Sequence, residues 1–300
     1  MSKQLRPGPR FAYDKAGHNI QKSKADVLAV ELSRWMADVL SSADHTPNAP
    51  TIVLIHGSPG TYNDFRHLVP LLQDDARIIG ITLPGFGDSE VLDDKDYYSH
   101  VVPLGGAKLA HEALSQLCRD EERVFVVGHS FGGHTTINLT ALNVRDPKLK
   151  VRGYVLLASV GLRIPESMWP IGSAVLSTLI QSELPVVSQL SSYMARLVYT
   201  KLLKFPDSAP TYHYASGMVR SADTDFGSVK VHLEQIAHVP AFVAWAKNDM
   251  HLSDDVSQRL SEDCHPGPRF AFERGGHNIQ KTQADVLAVE ITRWIGEISA

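Results

Sequence analysis

Cysteine is scarce: Cys118 and Cys264 are the only two in 300 residues. Two thiols cannot build a disulfide framework, and these lack the spacing of a zinc site or a redox pair, so they read as reduced side chains. Long apolar runs are missing as well. None reaches the roughly 18–20 residues that span a bilayer, which argues against a membrane span. No apolar signal core follows Met1–Pro7, so a cytoplasmic protein is the expectation. There is no excess of positive charge: 29 Lys and Arg face 33 Asp and Glu, for a formal net charge of -4. A dedicated nucleic-acid binder needs concentrated cations, so none is expected here. No G-x-G-x-x-G loop follows the first strong strand, and no histidine–carboxylate cluster has metal-ligand spacing. The expectation is therefore no cofactor and no metal. What remains, 43% hydrophobic and 21% charged residues, is the composition of a soluble globular chain long enough for one large core.

The two ends of the chain repeat each other. Residues 7–40 align with 266–299 at a constant offset of 259, and 21 of the 34 positions are identical. Gly17-His18-Asn19-Ile20-Gln21-Lys22 returns as Gly276-His277-Asn278-Ile279-Gln280-Lys281, and Ala25–Glu31 returns unchanged as Ala284–Glu290. Two copies so far apart are not a solenoid, whose period is about 20–50 residues. Each copy reads as a short strand, a Gly-His loop and an amphipathic helix. Leu287, Ile291, Trp294, Ile295 and Ile298 share one helical face in the second, and Leu28, Leu32, Trp35, Met36 and Val39 in the first.

Between the copies the chain alternates strand and helix. Residues 41–50 read as a polar, proline-containing linker. Strands are expected at Thr51–Ile55, Arg77–Thr82, Arg123–Val127, 152–158, Val239–Ala246 and Arg269–Phe272, with helices over 63–73, 103–119 and 131–142 and at the C-terminus. Near-continuous apolar strands separated by helices indicate α/β architecture with a mostly parallel, doubly wound sheet. The rhythm breaks from Gly161 to about Phe226, which reads as a helical cap over the strand ends. The expected organisation is a duplicate segment and linker over 1–50, a first core part over 51–160, the cap over 161–226 and a second core part over 227–300.

Gly128-His129-Ser130-Phe131-Gly132-Gly133 follows a strand and opens a helix, the setting that makes G-x-S-x-G informative. Glycines at 128 and 132 allow a sharp turn that lifts Ser130 to the helix N-terminus, where unpaired N–H groups favour an oxyanion. A serine nucleophile needs a base, and the base an orienting carboxylate. His277, in the loop after Arg269–Phe272, and Asp249, in the loop after Val239–Ala246, both lie at strand carboxyl ends, where crevices of an open α/β sheet form. The expected catalytic set is Ser130, Asp249 and His277. Asp254 and Asp255 read as solvated helix carboxylates. His18 has almost the neighbours of His277. Chain order favours His277, because sequential elements are usually neighbours, while a homodimer or segment swap would let His18 compete. His56-Gly57-Ser58-Pro59-Gly60 follows the first strong strand. There the N–H of Ser58, with that of Phe131, would form an oxyanion hole, and His56 reads as a structural imidazole bonded within its loop. His129 is expected to point away from the site or to line the pocket wall.

These motifs, with Pro84-Gly85-Phe86-Gly87-Asp88-Ser89, resemble the α/β-hydrolase fold superfamily over roughly residues 50–299, as a serine-nucleophile member with a helical cap. The resemblance implies acylation of the serine followed by release with water. Epoxide and haloalkane hydrolases of this fold carry Asp at the elbow, where this chain has Ser130. Members generally begin with antiparallel strands before the His-Gly strand. Residues 1–50 show no clear hairpin, Arg10–Tyr13 is at most an edge strand, and a bare sheet edge would favour self-association.

The cap's strongest content is apolar and aromatic, including Met168, Trp169, Tyr193, Met194, Tyr199, Phe205, Tyr212 and Tyr214. Met168, Trp169, Tyr193 and Met194 are the candidate pocket residues beside His129, unless they form the cap's own core. The expected substrate is a small to medium apolar carboxylic ester. Carbon–carbon bond hydrolysis or aminopeptidase-like amide hydrolysis is the alternative, and a non-catalytic scaffold that keeps the fold is another.

Overall fold

The computed structural model describes residues 25–31, 35–42, 49–92, 96–163 and 169–299. His18, Met168 and the Arg10–Tyr13 segment lie outside the described residues. The elements run β1 (Ala25–Glu31), β2 (Trp35–Ser42), β3 (Thr51–Ile55), α1 (Val69–Leu72), β4 (Arg77–Ile81), β5 (Glu90–Val91), α2 (Tyr97–Val101), α3 (Pro103–Leu117), β6 (Val124–His129), α4 (Phe131–Arg145) and β7 (Val151–Leu157). They continue with α5 (Pro170–Ile180), α6 (Pro185–Leu197), a π-helical turn (Val198–Leu202), α7 (Thr211–Ala222), α8 (Phe226–Gln235), β8 (Ala241–Ala246), α9 (Asp254–Asp263), β9 (Arg269–Phe272), α10 (Ile279–Thr282) and α11 (Ala284–Ser299). The helix expected over 63–73 is a 3-10 turn at Tyr62–Phe65 followed by α1.

One sheet runs in the order β1-β2-β4-β3-β6-β7-β8-β9, with β5 paired to β2. It is parallel from β4 through β9 and antiparallel where β2 meets β1, β4 and β5. Side chains alternate across each strand, which splits the apolar strands between two cores. Leu40, Ile52, Leu54, Ile78, Phe125 and Val127 face one side and pack with Leu287, Ile291, Trp294 and Ile295 of α11. Val39, Val53, Ile55, Ile79, Ile81 and Val126 face the other and pack with Ala107, Ala110, Ala113 and Leu114 of α3. Both faces are covered, as parallel strands require. Between β7 and β8, α5, α6 and α7 form the cap insertion, with a small core of its own around Ile180, Tyr199, Tyr214 and Met218.

The N-terminal copy corrects two expectations. Residues 25–31 and 35–42 are two antiparallel strands, β1 and β2, not an amphipathic helix, in a register running from Ala25 opposite Ser42 to Glu31 opposite Met36. The antiparallel start that the chain looked to be missing is therefore present. The linker expected from residue 41 also begins later, because Ser41 and Ser42 still belong to β2. The physical reason lies at β4, whose free side offers backbone groups. Val39, Leu40 and Ser41 pair with Ile81, Gly80 and Ile79, and Val39 and Leu40 are buried on opposite faces of the sheet.

β2 is also tied to the loop after β4. The Asp38 N–H donates to Ser89 Oγ at 3.0 Å, and Ser89 donates to the Thr82 carbonyl at 2.6 Å. The Asp38 carboxylate accepts from Thr82 Oγ1 at 3.2 Å. Burial first, and the Asp88 charge second, push the Asp38 carboxyl up to about 6. The folded chain thus holds a proton that the unfolded chain releases at lower pH, so this group's contribution to stability is present at acid pH and falls as pH rises towards 6. Asp38→Asn is expected to be more stable than the parent at pH 7.5 by about 2 kcal/mol, with the difference vanishing near pH 4. Urea unfolding at the two pH values measures it, and a variant less stable than the parent at pH 7.5 would contradict the assignment.

Candidate functional site

Ser130 stands between β6 and α4 with φ 54° and ψ -126°. A non-glycine residue held there costs about 1–3 kcal/mol and persists only where its surroundings over-determine it. They do so here. The Ser130 N–H donates to the Leu157 carbonyl at 3.0 Å, and the Ser130 carbonyl accepts from Gly133 at 2.9 Å. A Cβ on Gly132 would overlap the carbonyl oxygens of Ile55 and His56, so the first turn of α4 sits directly on the carboxyl end of β3. Ser130 is 5% exposed.

The structure brings the three expected catalytic residues together. His277 Nε2 lies 2.9 Å from Ser130 Oγ, and His277 Nδ1 lies 2.7 Å from Asp249 Oδ2. The other oxygen, Asp249 Oδ1, accepts from the N–H groups of His251 at 2.8 Å and Leu252 at 3.2 Å. Burial pushes the Asp249 carboxyl up. The His277 hydrogen bond and charge, with the two backbone donors, outweigh it and bring it below the ordinary value. An ionised Asp249 fixes the proton on Nδ1 and leaves Nε2 as the acceptor facing Ser130.

Asn248 was missed in the sequence. Its Oδ1 accepts from Gly275 and Gly276 N–H, both at 3.0 Å, and so ties the Asp249 loop to the His277 loop. Its position beside Asp249, opposite two glycines, was the available signal. Arg220 was missed too. Fully buried on α7, it donates to Thr135 Oγ1 at 2.6 Å and to the carbonyls of Phe131 at 3.2 Å and Val101 at 3.4 Å. Burial pushes it down to about 9. It fastens the cap to the first turn of α4, and no local motif marks it.

The loop after β3 closes the other side. A Cβ on Gly57 would sit 3.0 Å from Ser130 Cβ, so this backbone runs against the serine. His56 Nδ1 donates to the Gly57 carbonyl at 2.6 Å, and Nε2 accepts from the Leu83 N–H at 2.8 Å. Both ring nitrogens are used structurally, and burial, with the Arg220 charge second, pushes His56 down to about 3. His129 Nε2 bonds the His277 carbonyl at 2.9 Å, and burial, then the charge of His277, pushes it down to about 3.

A cavity of about 370 Å³ opens onto Ser130 and His277. The loop from Gly57 to Thr61 lines one side, with His129 on the wall, and Phe205, Ser208, Pro210, His213 and Tyr214 of the cap line the other. The remaining pocket candidates lie elsewhere. Tyr193 lines a separate cavity of about 850 Å³ with Tyr97, Tyr98 and Tyr212. Trp169 and Met194 are exposed on the outside of the cap and line neither cavity. The physical reason is helix phase: the segment carrying Tyr193 and Met194 turns its small residues Ser191 and Ala195 inward. Tyr199 and Tyr214 belong to the cap's own core, and Tyr214 also reaches the cavity. Asp254 is not purely solvated, because it accepts from Trp245 Nε1 at 2.6 Å. Among the described residues no group of three or more His, Cys, Asp or Glu could hold a metal.

Residues 52–290 match the alpha/beta hydrolase family. The chain is 24% identical over 267 residues to a 2-hydroxy-6-oxononadienedioate/2-hydroxy-6-oxononatrienedioate hydrolase of Cupriavidus pinatubonensis, covering 84% of this chain and 89% of that one. Among solved structures it is similar to a haloalkane dehalogenase loop variant from Bradyrhizobium elkanii, with a TM-score of 0.69 at 14% identity over 92% of this chain and 98% of that one. It is also similar to the thioesterase domain from the curacin biosynthetic pathway, with a TM-score of 0.62 at 16% identity over 89% of this chain and 99% of that one.

Gly132→Ala is expected to destabilise the fold by roughly 3 kcal/mol or more, because its obstacles are backbone carbonyls. Gly296→Ala, within α11 and with open space around it, is expected to be neutral or to stabilise by up to about 1 kcal/mol. Thermal unfolding of both variants tests this, and a Gly132→Ala protein as stable as the parent would rule out the close approach.

Proposed function

The chain belongs to the alpha/beta hydrolase family, and from that premise we propose that it is a serine hydrolase acting through an acyl-enzyme on a small carbonyl substrate. The observation that carries this reading is the chain of hydrogen bonds from Ser130 through His277 to Asp249, open to a cavity large enough for a small ligand. Ser130 Oγ attacks the substrate carbonyl while His277 Nε2 takes its proton. The oxyanion of the tetrahedral intermediate accepts from the N–H groups of Ser58 and Phe131. The latter belongs to the first turn of α4, where N–H groups have no partner within the helix. Collapse of the intermediate expels the leaving group, which takes the proton from His277. Water then attacks the acyl-serine with the same histidine as base, releasing the acid and restoring Ser130.

The Cupriavidus relative is named for hydrolysis of a 2-hydroxy-6-oxo dienedioate. Carbon–carbon bond hydrolysis of such a diketone-like acid therefore ranks ahead of the carboxylic ester expected from the cap's composition. Both run through the same acyl-serine and differ in the leaving group, a resonance-stabilised carbanion in one and an alkoxide in the other. The cavity favours neither an extended alkyl chain nor a wholly apolar ligand, since Asp64 and Lys281, paired at 3.2 Å, stand on its wall beside Phe205 and Tyr214.

Turnover of a 2-hydroxy-6-oxo-dienoate chromophore and the pre-steady-state burst from a short-chain p-nitrophenyl ester are the paired measurements. Ser130→Ala and His277→Ala are each expected to lower kcat/KM by about 10⁴ or more on whichever substrate the parent cleaves. His18→Ala is expected to leave it within about twofold of the parent. Loss on His18→Ala with retention on His277→Ala would reassign the base to the N-terminal copy. Full turnover by Ser130→Ala would end the serine mechanism.

A further inference from the structure

α5 and α6 are built inside out. Where they pack against α7 they bury small or polar side chains, Ser173 and Ser177 on α5 and Ser191 and Ala195 on α6, with Ile180 the one large apolar residue buried there. Their outer faces carry the large apolar residues. Ile171, Val175 and Leu179 follow one another at i, i+4 and i+8 on α5, and Val186, Leu190 and Met194 do the same on α6. All six are exposed, Ile171 by 81% and Val186 by 78%, and Leu184 in the connection between the helices is exposed as well. An amphipathic helix on a globular surface shows the reverse arrangement. Isolated exposed apolar residues need no explanation, but two such stripes on neighbouring helices do.

Charge points to what covers this face. From Trp169 to Ala195 the chain has one charged side chain, Glu183, in 27 residues, where the chain's 21% would place five or six. Trp169 and Tyr193 are exposed as well, and two exposed lysines follow α6, Lys201 in the π-helical turn and Lys204 just after it. Protein interfaces carry about one hydrogen bond per 100–200 Å² and favour Tyr, Trp and Arg over Leu and Val at their energetic centres. This face is aliphatic at its centre and offers few groups for such pairing. Aliphatic side chains flanked by Trp, Tyr and Lys are what a helix lying in a bilayer interface presents. We propose that the α5–α6 hairpin is an interfacial anchor that seats the cap on a phospholipid surface. Ile171, Val175, Leu179, Leu184, Val186 and Leu190 enter the acyl boundary, and Lys201 and Lys204 face the headgroups. The hairpin packs on α7, whose His213 and Tyr214 line the catalytic cavity, so seating would hold that cavity close to the membrane. The anchor does not depend on which bond Ser130 cleaves.

The test is co-sedimentation of the full chain with vesicles of phosphatidylcholine alone and of phosphatidylcholine mixed with phosphatidylglycerol. The parent is expected to bind both, and the anionic vesicles more tightly. The triple variant Ile171→Gln/Val186→Gln/Leu190→Gln is expected to lose binding by roughly tenfold or more while keeping the parent's circular dichroism and Tm, since all three side chains are exposed. Met250→Gln, exposed but distant in sequence from the hairpin, serves as a control and is expected to bind as the parent does. Lys201→Glu/Lys204→Glu is expected to weaken binding to the anionic vesicles only. Failure of the parent to bind either vesicle, or unchanged binding by the triple variant, would overturn the proposal. So would a vesicle-free dimer, seen by sedimentation velocity, that the triple variant converts to monomer, because the face would then belong to a second copy.

Discussion

The first turn of α4 and the carboxyl end of β3 meet at backbone distance, and the arrangement of the site depends on that meeting. With any side chain at position 132 the helix would be pushed off the carbonyls of Ile55 and His56. The serine would drop with it, because Ser130 is the residue that joins β6 to α4. The same approach sets Gly57 against the Ser130 side chain, so the loop that carries the Ser58 N–H is positioned by the contact that positions Ser130. His56 then locks that loop by using both of its ring nitrogens within the protein. Ser130's positive φ is the cost of this geometry, and the hydrogen bonds of its N–H and C=O hold it in place.

The cap is held by a different kind of interaction. Arg220 carries its guanidinium into the interior with hydroxyl and carbonyl acceptors and the ring of Phe86 around it. Among the described residues it forms no ion pair. Burying an unpaired cation is expensive, and its lowered pKa expresses that cost. In return, the cap is joined to the Phe131 carbonyl in the turn that follows Ser130. A cap fixed so firmly on its inner side through α7 can leave α5 and α6 with small polar inner faces. Their exposed apolar residues are then not needed for cohesion within the cap, whose own core draws on Ile180, Tyr199, Leu203, Tyr214, Met218 and Val219.

The meeting of these three side chains was legible because each follows a strand whose apolar, β-branched sequence identifies it, and because topology sends strand carboxyl ends to one edge. Ser130, Asp249 and His277 needed no side-chain information beyond that. The pocket was not legible in the same way. Which face of a cap helix turns inward is decided by packing against its neighbours, and α5 and α6 invert the usual rule, so Trp169 and Met194 looked like lining residues and are exposed. Asn248 and Arg220 act through acceptors and donors far away in sequence, and no local spacing announces such contacts.

At the repeated ends, Ala25–Glu31 and Ala284–Glu290 have one sequence and two structures. In the second place the heptapeptide opens α11, and Leu287 and Ala288 face the sheet beside Phe125 and Phe242. In the first it is β1, paired residue for residue with β2. Local preference cannot separate the two, because Ala, Leu and Glu favour helix while the two valines favour strand. Context does. The space on the sheet near β8 and β9 takes one helix, and the copy that follows β9 in sequence reaches it through a short connection. The other copy lies at the opposite edge, where β4 offers unpaired backbone groups, and burying those without partners would cost more than either propensity supplies. The periodic pattern of Leu28, Leu32, Trp35 and Met36 describes what this segment could do against an apolar sheet face. The free edge of β4 determines what it does.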